Sequence, residues 1–336
     1  MLPGLGGRGV VVRILVVGGA GYIGSVTVDQ IVEAGHDVTV IDSLVGGHVE
    51  ALNPDAEFVN ADVRDETALT RLLASHNFHA VLNYGGYIQA GESVKQPGRY
   101  FANNVGGTIT LLNAMLTYGV TRFVFSSSAA VYGEPEEVPI REESLIQPVN
   151  PYGESKVIVE RMLRWYEQSF GLHYVALRYF NAAGATESRG EDHRPETHLI
   201  PITLEAAIGQ RDHVSLFGTD YPTPDGTCVR DYVHVSDLAA AHLLAIDRTE
   251  TASGVYNLGN GKGFSNLEVI ESARRVTGEE IAVVEEGRRP GDPATLVASH
   301  DKAVAELGWE VRYTELDSII ETAWRWRQAH PEGYRE

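Results

Sequence analysis

The feature that most constrains the fold is a glycine-rich turn that follows an apolar run near the start of the chain. The run Arg13–Val17 is typical of a short buried strand, and Gly18-Gly19-Ala20-Gly21-Tyr22-Ile23-Gly24 comes directly after it. Glycine permits positive φ in a tight turn and lets a pyrophosphate approach the backbone, while the next helix offers free N–H groups to phosphate. We therefore predict a dinucleotide-binding unit held by Gly18, Gly21, Tyr22, Ile23 and Gly24.

An acidic residue at the expected distance sharpens this prediction. Asp42 lies 18 residues beyond Gly24, where a second predicted strand, Val38–Ile41, ends. A carboxylate in this position accepts hydrogen bonds from the ribose hydroxyls, which favours NAD over NADP. Asp62 and Val63, after the third predicted strand, are predicted to flank the adenine.

The first half of the chain alternates between strand and helix patterns, which predicts an α/β fold of the Rossmann type, with a doubly wound parallel sheet. The remaining predicted strands are Glu57–Val59, Ala80–Leu82, Arg122–Phe125 and Tyr174–Leu177. The predicted helices are Ile23–Glu33, Glu66–Ser75, Tyr100–Tyr118 and Tyr152–Phe170.

The pattern changes after Asn181, where the elements become short and irregular. We predict an NAD-binding domain over residues 10–181 and a smaller mixed α/β lobe over residues 182–336, mainly for substrate. A helix-like stretch suggests that a segment near residues 235–262 returns to the first domain. Residues 1–9, with four glycines, are expected to be a disordered start or a remnant of cloning.

Composition excludes several classes of partner. The chain has 336 residues with 27 basic and 46 acidic side chains, a net charge of −19, which disfavours nucleic acid and anionic membrane surfaces. Its apolar runs are too short to span a membrane. Cys228 is the only cysteine, so it is interpreted as a small packing residue, and we expect a reducing, cytoplasmic location.

A tyrosine and a lysine four residues apart are the candidate proton-transfer groups. On a helix, Tyr152 and Lys156 share one face. A lysine ammonium and a positive nicotinamide ring both favour the phenolate, and lowering a phenol pKa by about 3 units takes about 4 kcal/mol. Ser128 follows a predicted strand whose carboxyl end lies on the ligand side of a parallel sheet, where it can pass a sugar proton to Tyr152.

Together these residues resemble the UDP-sugar 4-epimerases of the extended short-chain dehydrogenase/reductase family, from about Arg13 to the C-terminus. The matching segments are Ser126–Gly133, Leu177–Asn181, Phe217–Thr227, Val229–Val235 and Arg289–Asp292. The resemblance implies catalytic roles for Ser128, Tyr152 and Lys156. It implies cofactor contacts for Tyr84, Gly85, Gly86, Asn103, Tyr152, Lys156 and Phe180. It implies substrate contacts for Ser128, Tyr152, Asn181, His198, Leu199, Phe217, Arg230, Arg289 and Asp292, with both arginines on phosphate and Asp292 on ribose.

The implied reaction interconverts UDP-galactose and UDP-glucose. Tyr152, assisted by Ser128, takes the proton of the sugar 4-hydroxyl while C4 passes hydride to NAD; the 4-keto sugar turns over, and the hydride returns to its other face. NAD is regenerated in each cycle and should stay bound. The resemblance also implies a homodimer and a place in galactose metabolism.

Two departures from the family pattern bear on this expectation. Tyr84-Gly85-Gly86 keeps an aromatic ring but loses two side chains, which predicts weaker contact with NAD. Leu296 stands at or near a position that the family fills with tyrosine, and it leaves room for a 2-acetamido group. UDP-N-acetylglucosamine 4-epimerisation therefore remains an alternative, as does another nucleotide-sugar epimerase or dehydratase.

Three rival interpretations remain. A dehydratase needs an acidic residue beside the catalytic serine, whereas Ala129-Ala130 follows Ser128. A non-catalytic NAD-sensing relative would be expected to lose Tyr152 or Lys156. Metal catalysis is suggested by Glu191-Asp192-His193 and His198, but with no H-E-x-x-H motif we expect no metal and interpret these as polar loop residues.

Overall fold

A computed structural model describes residues 11–289 and 291–335. The expectation for residues 1–9 falls outside these ranges. The strands are β1 (Arg13–Val17), β2 (Asp37–Asp42), β3 (Glu57–Asn60), β4 (Ala80–Asn83), β5 (Arg122–Ser128), β6 (His173–Tyr179), β7 (Asn181–Ala183), β8 (Val214–Phe217), β9 (Val229–Arg230), β10 (Tyr232–His234), β11 (Gly254–Leu258), β12 (Phe264–Ser265), β13 (Val283–Glu286) and β14 (Thr295–Leu296).

Helices separate most of these strands. The α-helices are α1 (Tyr22–Glu33), α2 (Glu66–Ser75), α3 (Ala90–Lys95), α4 (Pro97–Tyr100), α5 (Gly107–Thr117), α6 (Pro151–Phe170), α7 (Leu199–Ala207), α8 (Val235–Arg248), α9 (Asn266–Thr277), α10 (Asp301–Leu307) and α11 (Leu316–Ala329). Single turns of 3₁₀-helix occupy Val49–Ala51 and Ala129–Val131, and a π-helical segment covers Phe101–Gly106. Within the described ranges, no helix is both long and apolar enough to cross a membrane.

The central sheet is parallel throughout, with the strand order β11-β6-β5-β4-β1-β2-β3. The order reverses between β1 and β4. In open parallel sheets, ligands bind outside the carboxyl ends of the strands at such a switch point. The fold therefore places a ligand site where the glycine-rich turn after β1 meets the end of β4.

The sheet is covered on both faces, because alternate residues of each strand enter different cores. Ile14 and Val16 pack in a cluster that reaches α1 and α8, whereas Leu15 and Val17 pack in one that reaches α2, α5 and α6. All four side chains are at most 3% exposed. Near-continuous apolar strands are the expected result of burial on both faces.

A smaller lobe lies at the carboxyl edge of the sheet. It contains the pairs β8–β13 and β7–β10 and the three-stranded sheet β12-β9-β14, packed with α7, α9 and α11 around a separate apolar cluster. The chain does not divide once, since α8 packs on α1 and β11 joins the large sheet beside β6.

The predicted fold class is confirmed, and one predicted helix needs correction. Residues Tyr100–Tyr118 do not form one continuous α-helix, because the π-helical segment precedes α5. Gly107 begins α5 where a Cβ would lie only 2.6 Å from Val63 Cγ1. Close packing against the loop after β3 fixes this junction, and π-helical turns of this kind are common at functional sites.

Candidate active site

The glycine-rich turn is a backbone cradle with no room for side chains. Gly18 has a φ of +79°, and its N–H donates to the carbonyl of Ile41 at 2.9 Å. A Cβ on Gly24 would lie 2.3 Å from the Gly18 carbonyl oxygen. Gly21 is the N-cap of α1 and has no side chain to cap the first turn. The N–H groups of that turn are thus available to an anion.

The two larger residues of the turn point away from this cradle. Tyr22 is buried, and its hydroxyl donates to the carbonyl of Gly184, at the start of the smaller lobe. Ile23 packs against the apolar core. Their predicted cofactor contacts can therefore come only from the backbone of the first turn of α1, while the Tyr22 side chain ties the turn to the other lobe.

Asp42 ends β2 beside the turn. Its Oδ2 accepts from the N–H of Ala20 at 3.0 Å and its Oδ1 from the N–H of Leu44 at 2.8 Å. Burial raises the pKa of Asp42, and these hydrogen bonds oppose the shift. Each oxygen keeps a further lone pair, so the carboxylate can accept from a ribose while holding the glycine-rich turn.

Asp62 and Val63 are placed differently from Asp42. Both carboxylate oxygens of Asp62 are engaged by Arg64, at 2.9 and 2.6 Å, and the side-chain hydrogen bonds from Arg64 lower the pKa of Asp62. Val63 packs on Gly107 at the start of α5. The Asp62 side chain is thus committed to a local ion pair.

The segment after β4 is tightly packed rather than open. The Tyr84 ring turns into the core, where it lies tilted against the His242 ring with centroids 4.7 Å apart. Its hydroxyl donates to Thr27 at 2.8 Å. A Cβ on Gly85 would lie 3.0 Å from Val17 Cγ1, and one on Gly86 would lie 3.1 Å from Asn104 Oδ1. Neighbouring side chains thus already fill the space left by the two glycines.

Asn104, which the sequence analysis did not single out, connects two parts of the candidate site. Its amide bonds the backbone of Tyr87 at 2.9 and 3.0 Å and Ser155 Oγ at 3.1 Å, while its predicted neighbour Asn103 donates to Asn104 Oδ1 at 3.1 Å. Asn104 is 3% exposed. It connects the segment after β4 to α6, the helix that carries Tyr152. Its partners lie too far apart in sequence for a local pattern to reveal them.

Tyr152 and Ser128 are brought together by the start of α6. Asn150 caps this helix by accepting from the N–H of Gly153 at 2.9 Å, and a Cβ on Gly153 would lie 2.5 Å from the Ala130 carbonyl oxygen. The first turn of α6 therefore sits directly against the 3₁₀ turn that follows Ser128. Burial raises the pKa of Tyr152, and a hydrogen bond with Ser128 lowers it.

Lys156 lies one turn further along α6 and is 3% exposed. Its ammonium donates to the carbonyl of Ser126 at 2.8 Å and lies 5.7 Å from the centroid of the Tyr152 ring. Burial lowers the pKa of Lys156 to about 8, and the charge of Glu160 opposes the shift. At neutral pH most of the population still carries the ammonium, close enough to favour a phenolate on Tyr152.

A buried ion pair supports the strands behind these groups. Arg178 donates to both oxygens of Glu160, at 2.9 and 2.6 Å, and to the hydroxyl of Tyr132 at 2.7 Å. Ser127 also donates to Glu160 at 2.6 Å. Ser127 thus points to the opposite side from the catalytic candidate Ser128, as alternation along β5 requires.

Three further candidate residues, Phe180, Asn181 and Leu296, lie beyond the end of β6 or in the smaller lobe. Phe180 is buried beyond β6 in a cluster with Ala129 and Val131, and Leu296 packs against the same cluster. Asn181 begins β7 and pairs in register with Tyr232 of β10. The structure thus brings Phe180 and Leu296 to the same wall as the turn that follows Ser128.

The arginines predicted to hold phosphate are already partnered. Arg230 donates to the carbonyl of Pro293 at 2.8 Å and pairs with Asp292 at 3.1 Å. The Arg289 guanidinium lies over the Phe217 ring, 3.8 Å from its centroid. Four of the residues predicted to contact the substrate thus form two pairs, Arg230 with Asp292 and Arg289 with Phe217.

His198 and Leu199 sit where the loop from the large sheet enters α7. His198 is the N-cap residue and Leu199 the first residue of that helix. The Nδ1 atom of His198 lies 2.8 Å from Glu191 and 2.9 Å from Glu196. Glu191 also accepts from His193 at 3.1 Å. Of the residues interpreted from sequence as polar loop residues, Glu191, His193 and His198 therefore form one compact cluster with Glu196, whereas Asp192 accepts from the N–H of Tyr334.

Comparison with known proteins agrees with this geometry. Residues 14–259 match the family described as NAD dependent epimerase/dehydratase. A UDP-glucose 4-epimerase from Halalkalibacterium halodurans is 52% identical over 96% of this chain and 97% of its own length.

Solved structures give the same result. A crystal structure of a UDP-glucose 4-epimerase superposes with a TM-score of 0.94 at 48% identity, covering 96% of this chain and all of that one. A UDP-glucose 4-epimerase from Bifidobacterium longum, solved with NAD⁺ and UDP, has a TM-score of 0.91 at 38% identity over 96% of this chain and all of that one. This chain belongs to the NAD-dependent epimerase/dehydratase family.

Proposed function

We propose that this protein is a UDP-glucose 4-epimerase that interconverts UDP-galactose and UDP-glucose with bound NAD. The observation that carries the proposal is the first turn of α6, which carries Tyr152 and packs against the turn that follows Ser128, with the buried ammonium of Lys156 5.7 Å from the centroid of the Tyr152 ring. The relatives and structures named above are UDP-glucose 4-epimerases, which favours this reaction over others in the family.

The residues at the switch point fit NAD. Gly18 and Gly24 leave no space for a Cβ, the first turn of α1 is uncapped, and Asp42 presents a carboxylate at the end of β2. When bound, NAD supplies the acceptor and donor of the hydride that inversion at C4 requires. We assign this role to residues 10–181 with the returning segment near 235–262, and UDP-sugar binding mainly to the rest of residues 182–336.

Proton transfer belongs to Tyr152. Its phenol must lose a proton near neutral pH, and at an effective dielectric constant of about 20, a unit charge at roughly 6 Å stabilises the phenolate by about 3 kcal/mol, or about 2 pKa units. Lys156 supplies that charge, and the Ser128 hydroxyl also lowers the pKa of Tyr152. In this proposal Ser128 links the sugar hydroxyl to the phenolate and relays the proton between them.

The UDP group is assigned to the charged residues of the smaller lobe. An acidic protein needs local cations to hold a diphosphate, and guanidinium groups bind phosphate with two parallel hydrogen bonds. Arg230 and Arg289 are placed for this role on the same lobe, beside Asp292 and Phe217. In this proposal Asp292 leaves Arg230 for the ribose when the substrate binds.

The acetylated sugar is the second candidate substrate, and Leu296 is the observation that favours it. Its side chain packs beside Phe180 and the turn after Ser128, where a larger ring would take up more of the pocket. Leu296→Tyr is expected to lower kcat/KM for UDP-N-acetylgalactosamine at least tenfold while changing that for UDP-galactose less than threefold, as measured by product separation. Equal losses for both sugars would remove Leu296 as the determinant.

Other reactions fit the geometry less well. A dehydratase needs an acid next to Ser128, whereas Ala129 and Ala130 follow it and Ala129 is buried among apolar residues. A purely NAD-sensing protein would not need a buried lysine beside a buried tyrosine, because burying an ammonium costs free energy. Keeping Lys156 buried and mostly charged is the arrangement that proton transfer requires.

We propose that the protein is a homodimer through α5 and α6. Tyr166 on α6 donates to Asn113 on α5 at 2.8 Å, so the two helices lie side by side. Trp165 and Phe170 on the same pair are 68% and 59% exposed. Large exposed aromatic side chains mark an interface more often than a solvent surface. Trp165→Glu is expected to yield monomers by light scattering, whereas unchanged mass would exclude this face.

The remaining partners are small molecules, and the proposed location is the cytoplasm. A net charge of −19 disfavours nucleic acid and membrane surfaces. The single cysteine, Cys228, is free and fully buried, as its interpretation as a packing residue predicted. A chain with one buried thiol and no possible internal disulfide is suited to a reducing compartment.

The deciding experiment incubates the purified protein with UDP-galactose without added NAD and identifies the products. UDP-glucose formation is expected, together with NAD in the supernatant after denaturation. Activity that appears only with added NAD would mean that the cofactor is held weakly. Turnover of UDP-N-acetylgalactosamine alone would move the substrate assignment, and no turnover of either sugar with NAD present would contradict the proposed function.

A further inference from the structure

The loop that joins β7 to α7 contains a cluster of metal-ligand side chains separate from the proton-transfer groups. Glu191, His193, Glu196 and His198 each direct one ligand atom into a common space, and these four atoms all lie within 4.8 Å of one another. The contacts around this space are 2.8 and 2.9 Å from His198 Nδ1 to Glu191 and Glu196, and 3.1 and 3.8 Å from His193 Nδ1 to the same two carboxylates.

These distances match a small coordination sphere. Zn²⁺ bound by histidine nitrogen and carboxylate oxygen at about 2.0–2.2 Å in a tetrahedron separates neighbouring ligand atoms by roughly 3.4 Å. The observed contacts fall on both sides of that value, so slight side-chain rotation would equalise them. Two carboxylates and two neutral imidazoles also carry a charge of −2, which a divalent cation balances.

One carboxylate oxygen of the cluster has no hydrogen-bond partner. Glu196 Oε1 accepts from the N–H groups of Thr197 and His198 at 2.7 and 2.8 Å, which fixes the carboxylate. Glu196 Oε2 is buried and has no hydrogen-bond partner, and the whole residue is 8% exposed. A buried carboxylate oxygen left without a donor costs free energy, and a cation in the cluster removes that cost.

The four side chains suit a structural site more than a catalytic one. A catalytic zinc keeps a coordination position open, whereas four protein ligands close it. Glu191 and Glu196 are buried, the His193 side chain is 20% exposed, and the His198 side chain is the most exposed of the four at 45%. Coordination through Nδ1 leaves the ring proton on Nε2, so His198 keeps an N–H donor on its exposed side.

From this geometry we propose that Glu191, His193, Glu196 and His198 bind one zinc ion that fixes the loop between β7 and α7. The His193 ring stands edge-on to Tyr22, with centroids 6.3 Å apart, and Tyr22 itself bonds Gly184 at the start of the same loop. The metal therefore fastens the loop next to the first turn of α1.

The direct test is the metal content of the full-length protein, purified without a histidine tag and dialysed, by mass spectrometry of the elements. One zinc per chain is expected, and Co²⁺ added to the chelator-treated protein should give the visible absorption of four-coordinate cobalt. Removal of the metal should lower Tm by roughly 5 °C, with recovery on adding Zn²⁺.

Matched variants locate the metal. Glu196→Gln and His193→Gln should each abolish stoichiometric zinc and the cobalt spectrum, whereas Glu187→Gln, an exposed acid of the same loop, should retain both. Metal that persists in both ligand variants would lie elsewhere and overturn the proposal. A wild-type protein without zinc, without a four-coordinate cobalt spectrum and without a chelator effect on Tm would show that the cluster is held by protonated histidines instead. None of these readouts depends on epimerase turnover.

Discussion

The proposed cofactor side and the proposed substrate side of the site are built by different means. On the cofactor side, backbone approaches backbone: a Cβ on Gly24 would lie 2.3 Å from the Gly18 carbonyl oxygen. On the substrate side, charged side chains hold one another, as Arg230 holds Asp292 at 3.1 Å and Arg289 covers the Phe217 ring. The first arrangement is complete before a ligand arrives, whereas the second must exchange partners.

This difference predicts how each side responds to mutation. A backbone cradle cannot accommodate an added methyl group unless the turn moves, so even a small substitution there should weaken cofactor binding strongly. Charged pairs can re-form with a ligand, so a conservative change should alter affinity gradually. Tyr152 and Lys156 are the proposed proton-transfer groups, and substitution of either should lower kcat.

The largest effect is expected for Tyr152→Phe. Loss of the phenol removes the proton acceptor, which should lower kcat by about 10³-fold, in the range typical of general acid–base groups. Bound NAD should remain, because the cradle is untouched. Ser128→Ala, which leaves the phenol in place, should cost less. The comparison is made by product analysis with UDP-galactose and by NAD content, and a Tyr152→Phe protein within tenfold of wild type would exclude Tyr152 as the base.

Gly24→Ala tests the cradle itself. The added Cβ would clash with the Gly18 carbonyl, so NAD retention should fall at least tenfold while the fold persists. Gly98→Ala is the matched control, because no atom lies within 4 Å of a Cβ at this helical position. Retained NAD is measured after gel filtration, and equal retention in both variants would mean that the cradle is not the cofactor site.

The pH dependence of activity follows from Lys156. Burial lowers its pKa to about 8, so the ammonium is present below pH 8 and is lost above it. We expect kcat to fall about tenfold for each pH unit above 8, until the residual rate of the uncharged form is reached. The rate is measured from pH 6 to pH 10 at saturating UDP-galactose.

The contribution of Lys156 to the free energy of unfolding should rise with pH over the range in which kcat falls. Because its pKa is lower in the folded protein than the value of about 10.4 in an unfolded chain, the unfolded state binds more protons between about pH 8 and 10. The free energy of unfolding should therefore gain about 3 kcal/mol from this residue across that window. Urea unfolding of the wild type and of Lys156→Met between about pH 8 and 10 measures this contribution. If the difference between their free energies of unfolding does not change with pH, the pKa seen in kcat belongs to another group.

The cofactor side was predictable because its signals are local. Gly18, Gly24 and Asp42 follow predicted strands directly, and a turn that needs glycine can be recognised without knowing what packs on it. The Tyr152 and Lys156 pair was equally local, since four residues on a helix determine a shared face.

The features that the sequence did not reveal depend on partners far away in the chain. Asn104 bonds Ser155, 51 residues later, and the direction of the Tyr84 ring is set by its contact with His242 on α8. Alternation along a strand predicts which face of the sheet a side chain lies on, but not which residue packs against it. The cluster around Glu196 escaped for another reason, since its spacing follows a loop and matches no regular element.

The smallest effect is expected on the substrate side. In Arg230→Lys, one ammonium replaces a guanidinium that contacts the carbonyls of Val229 and Pro293 and the Asp292 carboxylate together. A lysine can still pair with a phosphate, but as a point charge and without the second parallel hydrogen bond. We expect KM for UDP-galactose to rise about tenfold with kcat within a factor of two, because a group that binds substrate and transition state equally changes KM alone.

The control for this variant is Arg275→Lys, whose guanidinium pairs with Asp317 at 2.7 Å on the exposed surface of α9. It should leave KM and kcat unchanged. A fall in kcat with unchanged KM in Arg230→Lys would place Arg230 in the chemical step and remove it from phosphate binding. If KM instead rose more than a hundredfold, the Arg230–Asp292 pair would be as intolerant as the glycine cradle, and the distinction between a prebuilt cofactor side and an exchangeable substrate side would fail.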